Sequence, residues 1–175
     1  MATYQIFTDS SSDLTREQLD QYGLEYFRFG IVVDGDKQYN ADLDWKEYTQ
    51  EEFYGWLAAG RKIKTNQLSL EEAINRMTPY LEKGLDIIYL CCSSALTGSL
   101  NLFRLASDEL KEKYPDRKFI GIDSLSAATS LGMMAMDAAK KRDEGLSLDE
   151  LEAWVETHKL YYNYYCTVDT LKYLK

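Results

Sequence analysis

Histidine, proline and cysteine are scarce in this chain, and their scarcity narrows the range of functions. The 175 residues include one histidine, two prolines and three cysteines. An odd number of cysteines, with no further Cys/His cluster beside Cys91-Cys92, argues against a disulfide framework and against a thiolate metal site. We interpret Cys91 and Cys92 as the end of a buried strand, and we expect a reducing, cytoplasmic location.

Long apolar segments and an excess of positive charge are absent as well. No run of about 18 apolar residues is present, so we expect no membrane-spanning helix, and residues 1–7 lack a signal-peptide pattern. The formal net charge of -9 disfavours nucleic acid and anionic membranes as partners. One carboxylate can still bind locally, because the net field is screened within about 10 Å.

Three common enzyme motifs are missing too. The sequence contains no G-x-G-x-x-G fingerprint, no G-x-x-x-x-G-K-[ST] phosphate loop and no G-x-S-x-G elbow. His158 follows Trp154 and Val155 on a predicted helix, where a charge partner for the helix C-terminus is commoner than a catalytic base. A serine nucleophile would therefore be poorly activated, and we assign no catalytic residue, metal ligand or cofactor.

Apolar runs alternate with helical periodicity along the chain. Strands are predicted at residues 4–7, 85–90 and 118–122, with helices between and after them at 14–22, 100–113 and 127–144. This alternation predicts βαβ units and an α/β fold, a three-layer sandwich with a mainly parallel sheet. One extended stretch is predicted at 25–33, with an Asp34-Gly35 turn leading into a small hairpin, and a last strand at 165–168.

Three further helices begin with capping boxes. Thr49, Ser69 and Ser147 are each followed three residues later by glutamate. In this motif the hydroxyl of the cap residue accepts a hydrogen bond from the backbone N–H of the glutamate. The glutamate carboxylate in turn accepts one from the backbone N–H of the cap residue.

Hydroxyl-rich loops follow three of the predicted strands. Ligands bind in open parallel sheets at the carboxyl ends of the strands, and helix N-termini there favour anions. These loops therefore predict a site for a small anion, a carboxylate or phosphate. The candidate residues are Asp9, Ser10 and Ser11 in the first loop, Ser93, Ser94, Thr97 and Gly98 in the second, and Asp123 and Ser124 in the third.

Helix capping is the competing interpretation for each loop, because Ser, Thr and Asp also satisfy orphan N–H groups at strand-to-helix turns. Asp9, Asp13 and Asp123 could hold a metal, although aspartates at such positions are more often turn formers. A fourth segment, KTNQLS at 64–69, precedes a helix. Its Ser69 is interpreted as a cap, which leaves Thr65 free to bind a ligand.

Five segments together resemble the DegV family of bacterial fatty-acid-binding proteins. They are TDSSSDL at 8–14, KTNQLS at 64–69, SSALTGS at 93–99, IDSLSA at 122–127 and VDTLKYLK at 168–175. Each motif alone is weak, but their shared order covers the whole chain. Two positions depart from the family pattern: Asn66 replaces a usual serine and Leu68 a usual proline.

The resemblance implies a two-domain protein that holds a fatty acid between its domains. Residues 1–165 would be the α/β first domain, and 166–175 the start of a second domain that is cut short here. Thr65, Asn66, Ser93 and Ser94 would hold the carboxylate, with Gly98 shaping the turn. In some members the bound acyl group is presented to a partner fatty-acid kinase, which phosphorylates the carboxylate.

Two other hypotheses stay open from the sequence. The first is an enzyme acting on a phosphorylated or carboxylated metabolite, with Asp9 and Asp123 as metal ligands or acid/base groups. The second is a structural α/β fragment that binds nothing alone and self-associates through exposed apolar surface.

Overall fold

Strands and helices alternate through most of the chain, as the sequence predicts. The computed structural model describes residues 3–165 and Thr167. The elements in chain order are β1 (Tyr4–Asp9), α1 (Arg16–Tyr22), β2 (Leu24–Phe27), β3 (Phe29–Val33), β4 (Lys37–Ala41), α2 (Gln50–Ala58), β5 (Ile63–Asn66), α3 (Leu70–Leu81), β6 (Asp86–Cys91), α4 (Ser99–Lys113), β7 (Phe119–Asp123), α5 (Ala128–Asp143), α6 (Leu148–His158) and a 3₁₀ turn at Lys159–Tyr161.

The main sheet has four parallel strands in the order β2-β1-β6-β7. Helices cover both of its faces, so its central strands are apolar on both sides. Along β6, Ile87 and Tyr89 pack toward α3 and α4, whereas Ile88 and Leu90 pack toward α1, α5 and α6. The predicted three-layer α/β sandwich with a parallel sheet is confirmed.

A second, antiparallel sheet in the order β4-β3-β5 stands beside the first. Its β3–β4 hairpin turns at Asp34 and Gly35, both with positive φ, as the sequence predicts. Helix α2 covers one face through an aromatic cluster in which Tyr39, Tyr48 and Trp56 meet at 5.3 to 5.4 Å between ring centroids.

Two features of this second sheet were not predicted. The stretch 25–33 is not one strand, because the chain leaves the main sheet after Phe27 and enters the second sheet at Phe29. The segment 64–69 is not simply a loop before a helix, since Thr65 and Asn66 belong to β5 and pair with Ile31 and Gly30 of β3. Two of the four residues of the strand predicted at 165–168 lie outside the described residues, and the other two, Tyr165 and Thr167, do not lie in a strand.

Two of the three predicted capping boxes form completely, at Thr49 and at Ser147. At Ser69 only half of the motif forms, because the hydroxyl accepts from the Glu72 N–H while the Glu72 carboxylate turns away. That carboxylate instead makes a bidentate ion pair with the Arg28 guanidinium, with both N···O distances 2.8 Å. Arg28 lies between β2 of the main sheet and β3 of the second sheet. Its ion pair with Glu72 therefore anchors the connection between the sheets to α3.

Within the described residues, no helix combines the length and apolar character that a membrane crossing requires.

Helix α5 lies unusually close to the first strand-end loop. A Cβ at Gly132 would stand 2.4 Å from the Ser12 carbonyl oxygen and 3.0 Å from Leu14 Cδ2. We expect Gly132→Ala to lower the free energy of unfolding by about 1–3 kcal/mol, as overpacked sites do, in urea denaturation.

Gly55 provides the matched control, since it lies inside α2 and a Cβ there meets no atom within 4 Å. Gly55→Ala should raise the free energy of unfolding by about 0.5–1 kcal/mol, the usual gain for a helix interior. Equal effects of the two substitutions would show that the close approach at Gly132 is not a packing constraint.

Candidate functional site

The three hydroxyl-rich loops converge at the carboxyl edge of the main sheet, as predicted. The Cys92 N–H donates to the Asp9 carboxylate at 2.8 Å, which joins the loops after β1 and β6. The Ser93 N–H donates to the Ser126 carbonyl at 2.8 Å and the Ser124 N–H to the Cys91 carbonyl at 3.1 Å, which joins the loops after β6 and β7.

Asp9 is the buried centre of this edge, with none of its surface exposed. Its carboxylate accepts from the Ser11 N–H and hydroxyl, the Tyr89 hydroxyl at 2.9 Å and the Cys92 N–H. Burial raises the pKa of Asp9, although these four donors favour its ionised form. The hydrogen bonds from Tyr89 and Cys92 thus join β1 to β6, and those from Ser11 hold the loop after β1.

Asp123 performs a similar task at the end of β7. Its carboxylate accepts from the Ser94 hydroxyl, the Ser94 N–H at 3.1 Å and the Leu125 N–H at 3.0 Å. Burial opposes ionisation here, but these hydrogen bonds and the nearby Lys159 charge outweigh it and lower the pKa of Asp123. Ser94 is exposed, so its hydroxyl lies at the surface while bonded to Asp123.

The loop after β6 is organised by its own hydroxyls. The Ser93 carbonyl accepts from the N–H groups of Leu96 and Thr97, and the Ser93 hydroxyl accepts from the Ala95 N–H at 3.3 Å. The Thr97 hydroxyl lies 2.8 Å from that of Ser99, the first residue of α4. The N-cap residue Gly98 has no side chain to cap α4, but the Thr97 hydroxyl accepts from the Ser99 N–H at 3.2 Å, so the loop itself satisfies the first N–H of this helix.

The second sheet supplies the opposite wall of an open cavity of about 580 Å³, which we call the head-group cavity. Leu68 ties the two walls together, because its N–H donates to the buried Ser99 hydroxyl at 3.1 Å. The lining residues are Phe29, Thr65, Asn66 and Gln67 on one side and Leu96, Thr97 and Gly98 on the other.

Gly98 lies close to Gln67 on the opposite wall. A Cβ there would lie 2.3 Å from the Gln67 Oε1 atom, so the Gln67 side chain would have to move. That atom is the end of a flexible side chain, and the Gly98 φ of -87° is ordinary for any residue. Neither packing nor backbone conformation therefore requires glycine at this position.

The structure brings together four of the predicted residues: Thr65, Asn66, Thr97 and Gly98 all line the head-group cavity. Ser94 lines an adjoining cavity of about 400 Å³ that shares Thr97 and Gly98 and also contains Asp123 and Arg104. The remaining predicted residues lie elsewhere. Ser93, Ser11 and Ser124 are held in hydrogen bonds within their own loops, Asp9 is bonded both to Ser11 and to the end of β6, and Ser10 lines a different cavity.

Phe29, Gln67 and Leu96 also line the cavity, and the sequence analysis did not single them out. Gln67 belongs to the KTNQLS segment, so its position beside Thr65 was a usable signal. Phe29 carries no local signal, because its place depends on the chain changing sheets at Arg28.

Cys91 and Cys92 behave as core residues. Both are free and buried, and burial raises the pKa of each thiol. Among the described residues, no group of three or more His, Cys, Asp or Glu side chains is placed to hold a metal ion.

Fold and cavity define a class of protein: an α/β sandwich whose strand-end loops face a small antiparallel sheet across an open, hydroxyl-lined cavity. A family model described as "Uncharacterised protein, DegV family" matches residues 3–175, and the chain belongs to the DegV family. A DegV domain-containing protein of Clostridium perfringens is 34% identical over 176 residues, covering 100% of this chain. The chain spans 60% of the length of that relative.

Solved structures share the fold. A DegV family protein from Thermus thermophilus, described as fatty-acid binding, superimposes with a TM-score of 0.77 at 27% identity, covering 91% of this chain and 54% of that one. The Streptococcus pneumoniae Fatty Acid Kinase (Fak) B3 protein, loaded with linoleic acid, gives a TM-score of 0.73 at 20% identity, covering 90% and 54%.

The lowered pKa of Asp123 predicts a pH-dependent contribution to stability. A carboxyl group with a lower pKa in the folded state stabilises the fold above its unfolded pKa of about 3.9, and this is lost as the pH falls through the folded pKa. Asp123→Asn should therefore destabilise the protein at pH 7, with a difference from wild type that shrinks below about pH 4.

Urea denaturation at pH 7 and at pH 3 measures that difference. Asp108→Asn, on the exposed surface of α4, is the control and should match wild type at both values. A deficit for Asp123→Asn that stays equal at the two pH values would contradict the assignment.

Proposed function

We propose that this protein binds a long-chain fatty acid through its carboxylate in the head-group cavity. The observation that carries the proposal is that two separate sheets place Thr65 and Thr97 on opposite walls of one open cavity. Hydroxyl and amide donors there alternate with the apolar side chains of Phe29 and Leu96. A mixed lining of this kind suits an amphiphile, with polar groups fixing its head and apolar groups contacting its chain.

The hydrogen bonds that each hydroxyl already makes determine how readily it can bind the carboxylate. Within the described residues, the Thr65 hydroxyl has no hydrogen-bond partner and the residue is exposed, so it is available without rearrangement. The Thr97 hydroxyl lies across from it and is already in contact with the N–H and the hydroxyl of Ser99. Ser94 can bind the carboxylate only if its hydroxyl gives up the hydrogen bond to Asp123. Ser93 can do so only if the turn that it stabilises opens.

Two named relatives support this ligand class. The Thermus protein is described as fatty-acid binding and the pneumococcal protein was loaded with linoleic acid. This chain spans 60% of the length of its Clostridium relative, so the ligand of the whole protein is likewise our proposal. We also propose a cytoplasmic location and no nucleic acid among its partners.

We further propose a carrier role without catalysis, in which the bound carboxylate is presented to a fatty-acid kinase. The pneumococcal relative is named as a fatty-acid kinase B3 protein, and the head-group cavity is open to solvent at the loop surface. In the transfer step a carboxylate oxygen attacks the γ-phosphorus of ATP, the bond to ADP breaks and an acyl phosphate forms.

The alternative of a metabolite enzyme built on Asp9 and Asp123 has less support. Both carboxylates accept hydrogen bonds from the loop after β6, Asp9 from the Cys92 N–H and Asp123 from the Ser94 hydroxyl, and Asp9 is fully buried. These contacts suit a structural role that keeps the loops in place.

Substitution of Thr65 tests the carboxylate site. Thr65→Val keeps the shape and strand preference of the side chain but removes its donor. A hydrogen bond to a charged group contributes about 1.5–3 kcal/mol, so oleate should bind at least about tenfold more weakly. Equilibrium dialysis with radiolabelled oleate measures the affinity.

The control is Thr157→Val, on the exposed surface of α6, where the hydroxyl only donates to the Ala153 carbonyl. It should bind oleate as wild type does. If the wild-type protein binds no fatty acid, the proposed function is wrong; if it binds and Thr65→Val binds equally well, the placement of the carboxylate is wrong.

A further inference from the structure

The cavity that adjoins the head-group cavity differs from it in charge. We call it the arginine cavity. It has a volume of about 400 Å³ and is lined by Ser94, Thr97, Gly98, Leu100, Asn101, Arg104 and Asp123. The two cavities share Thr97 and Gly98, so a group bound at Thr97 borders both. Among the described residues that line the two cavities, Arg104 is the one cation.

The guanidinium of Arg104 is largely unused. Arg104 lies in the second turn of α4 and is exposed. Within the described part of the chain it makes one hydrogen bond, to the Asn101 Oδ1 atom at 3.4 Å, and no ion pair with Asp108 or Asp123. A guanidinium carries five N–H donors in a planar fork, so most of its donors are available to a ligand.

The negative charge of Asp123 is already compensated. Its carboxylate accepts from the hydroxyl and N–H of Ser94 and from the Leu125 N–H. The ammonium group of Lys159, which also pairs with a glutamate, donates to the Asp123 carbonyl at 3.1 Å and therefore lies close by. Arg104 is thus the charge of the arginine cavity that has no partner of opposite sign.

An unpaired guanidinium beside a carboxylate site suits the product of the proposed kinase reaction. When a carboxylate oxygen forms a bond to the γ-phosphorus, the head group gains a phosphoryl group with close to two negative charges. Because the chain has a net charge of -9, such a dianion requires a local positive charge to stay bound. Arginine binds phosphoryl oxygens through two parallel N–H···O bonds.

We propose that the arginine cavity receives the phosphoryl group of an acyl phosphate, and that Arg104 distinguishes this phosphorylated lipid from the free fatty acid. This inference rests on the proposed function. The carboxyl carbon stays between Thr65 and Thr97, and the phosphoryl group, one bridging oxygen further, extends past Thr97 to the guanidinium. The protein would then hold its lipid both before and after phosphorylation.

Removal of the charge at Arg104 tests the inference. The probe is the β-ketophosphonate analogue of stearoyl phosphate, in which a methylene group replaces the oxygen between the carbonyl carbon and phosphorus. Arg104→Gln should bind this phosphonate at least about tenfold more weakly than wild type, because a charge-assisted bidentate contact is lost. Binding of stearate should change less than twofold. Competition with radiolabelled oleate in equilibrium dialysis measures both affinities.

Two further variants separate a local contact from a change in net charge. Lys111→Gln removes one positive charge from the exposed surface of the same helix without lining either cavity, and it should bind both ligands as wild type does. Arg104→Lys keeps the charge and should recover most of the phosphonate affinity that Arg104→Gln loses.

The two levels of proposal fail in different ways. If Arg104→Gln binds the phosphonate as wild type does, or loses stearate and phosphonate equally, the phosphoryl site is wrong while fatty-acid binding stands. Inorganic phosphate that binds wild type as tightly as the phosphonate would overturn the acyl phosphate as the ligand. Wild-type protein that binds neither stearate nor oleate would overturn the proposed function itself.

Chemical protection of the wild-type protein provides a test without any variant. Phenylglyoxal modifies accessible guanidinium groups, and peptide mass spectrometry identifies the modified arginines. The phosphonate should protect Arg104 from modification, whereas stearate should leave its modification rate unchanged. Equal modification of Arg104 with and without saturating phosphonate would overturn the phosphoryl site.

Discussion

The buried carboxylate of Asp9 is the interaction on which the strand-end architecture depends. It stands at the end of β1, one of the two central strands, and accepts hydrogen bonds from its own loop, from Tyr89 and from Cys92. A buried charge is tolerated only where donors compensate its lost hydration. Because those donors belong to both central strands, the compensation also fixes how the loops after β1 and β6 are placed.

Further hydrogen bonds fix the neighbouring loops relative to these two strands. The loop after β6 is tied to the loop after β7 through Ser93 and Ser126, and the start of α4 is tied to the second sheet through Ser99 and Leu68. The walls of the head-group cavity are therefore connected through buried groups, while the exposed Thr65 remains free. Rigid surroundings with an available donor are what a preorganised binding site requires.

The sequence was informative where local rules decide the structure. The parallel strands, the β3–β4 hairpin and the caps at Thr49 and Ser147 follow from periodicity, turn residues and capping motifs, and the convergence of the three loops follows from the parallel sheet. The split of residues 25–33 between two sheets could not be read locally. It is decided by Arg28, whose partner Glu72 lies 44 residues away, and the same long-range pair prevents the capping box at Ser69.

The site was predictable to the same extent. Hydroxyl side chains at strand ends were correctly expected to gather, but propensity alone could not separate those that hold the loops together from those that face a cavity. That separation depends on partners distant in sequence: Asp123 engages Ser94, whereas Thr65 lies on an edge strand opposite Thr97. The position of Phe29 depends on the register of the second sheet, which no local motif encodes.

Strand alternation at β5 also bears on the chemistry of the ligand. Lys64 pairs with Val32 and Thr65 with Ile31, so the lysine and the threonine project to opposite faces of the sheet. The lining of the head-group cavity is accordingly uncharged, with hydroxyl and amide groups beside the apolar side chains of Phe29 and Leu96. Phosphate groups carry up to two charges and are usually bound with charge-assisted contacts, whereas a single carboxylate needs fewer donors. An uncharged lining with both polar and apolar groups therefore supports the proposed monoanionic amphiphile rather than a phosphorylated metabolite.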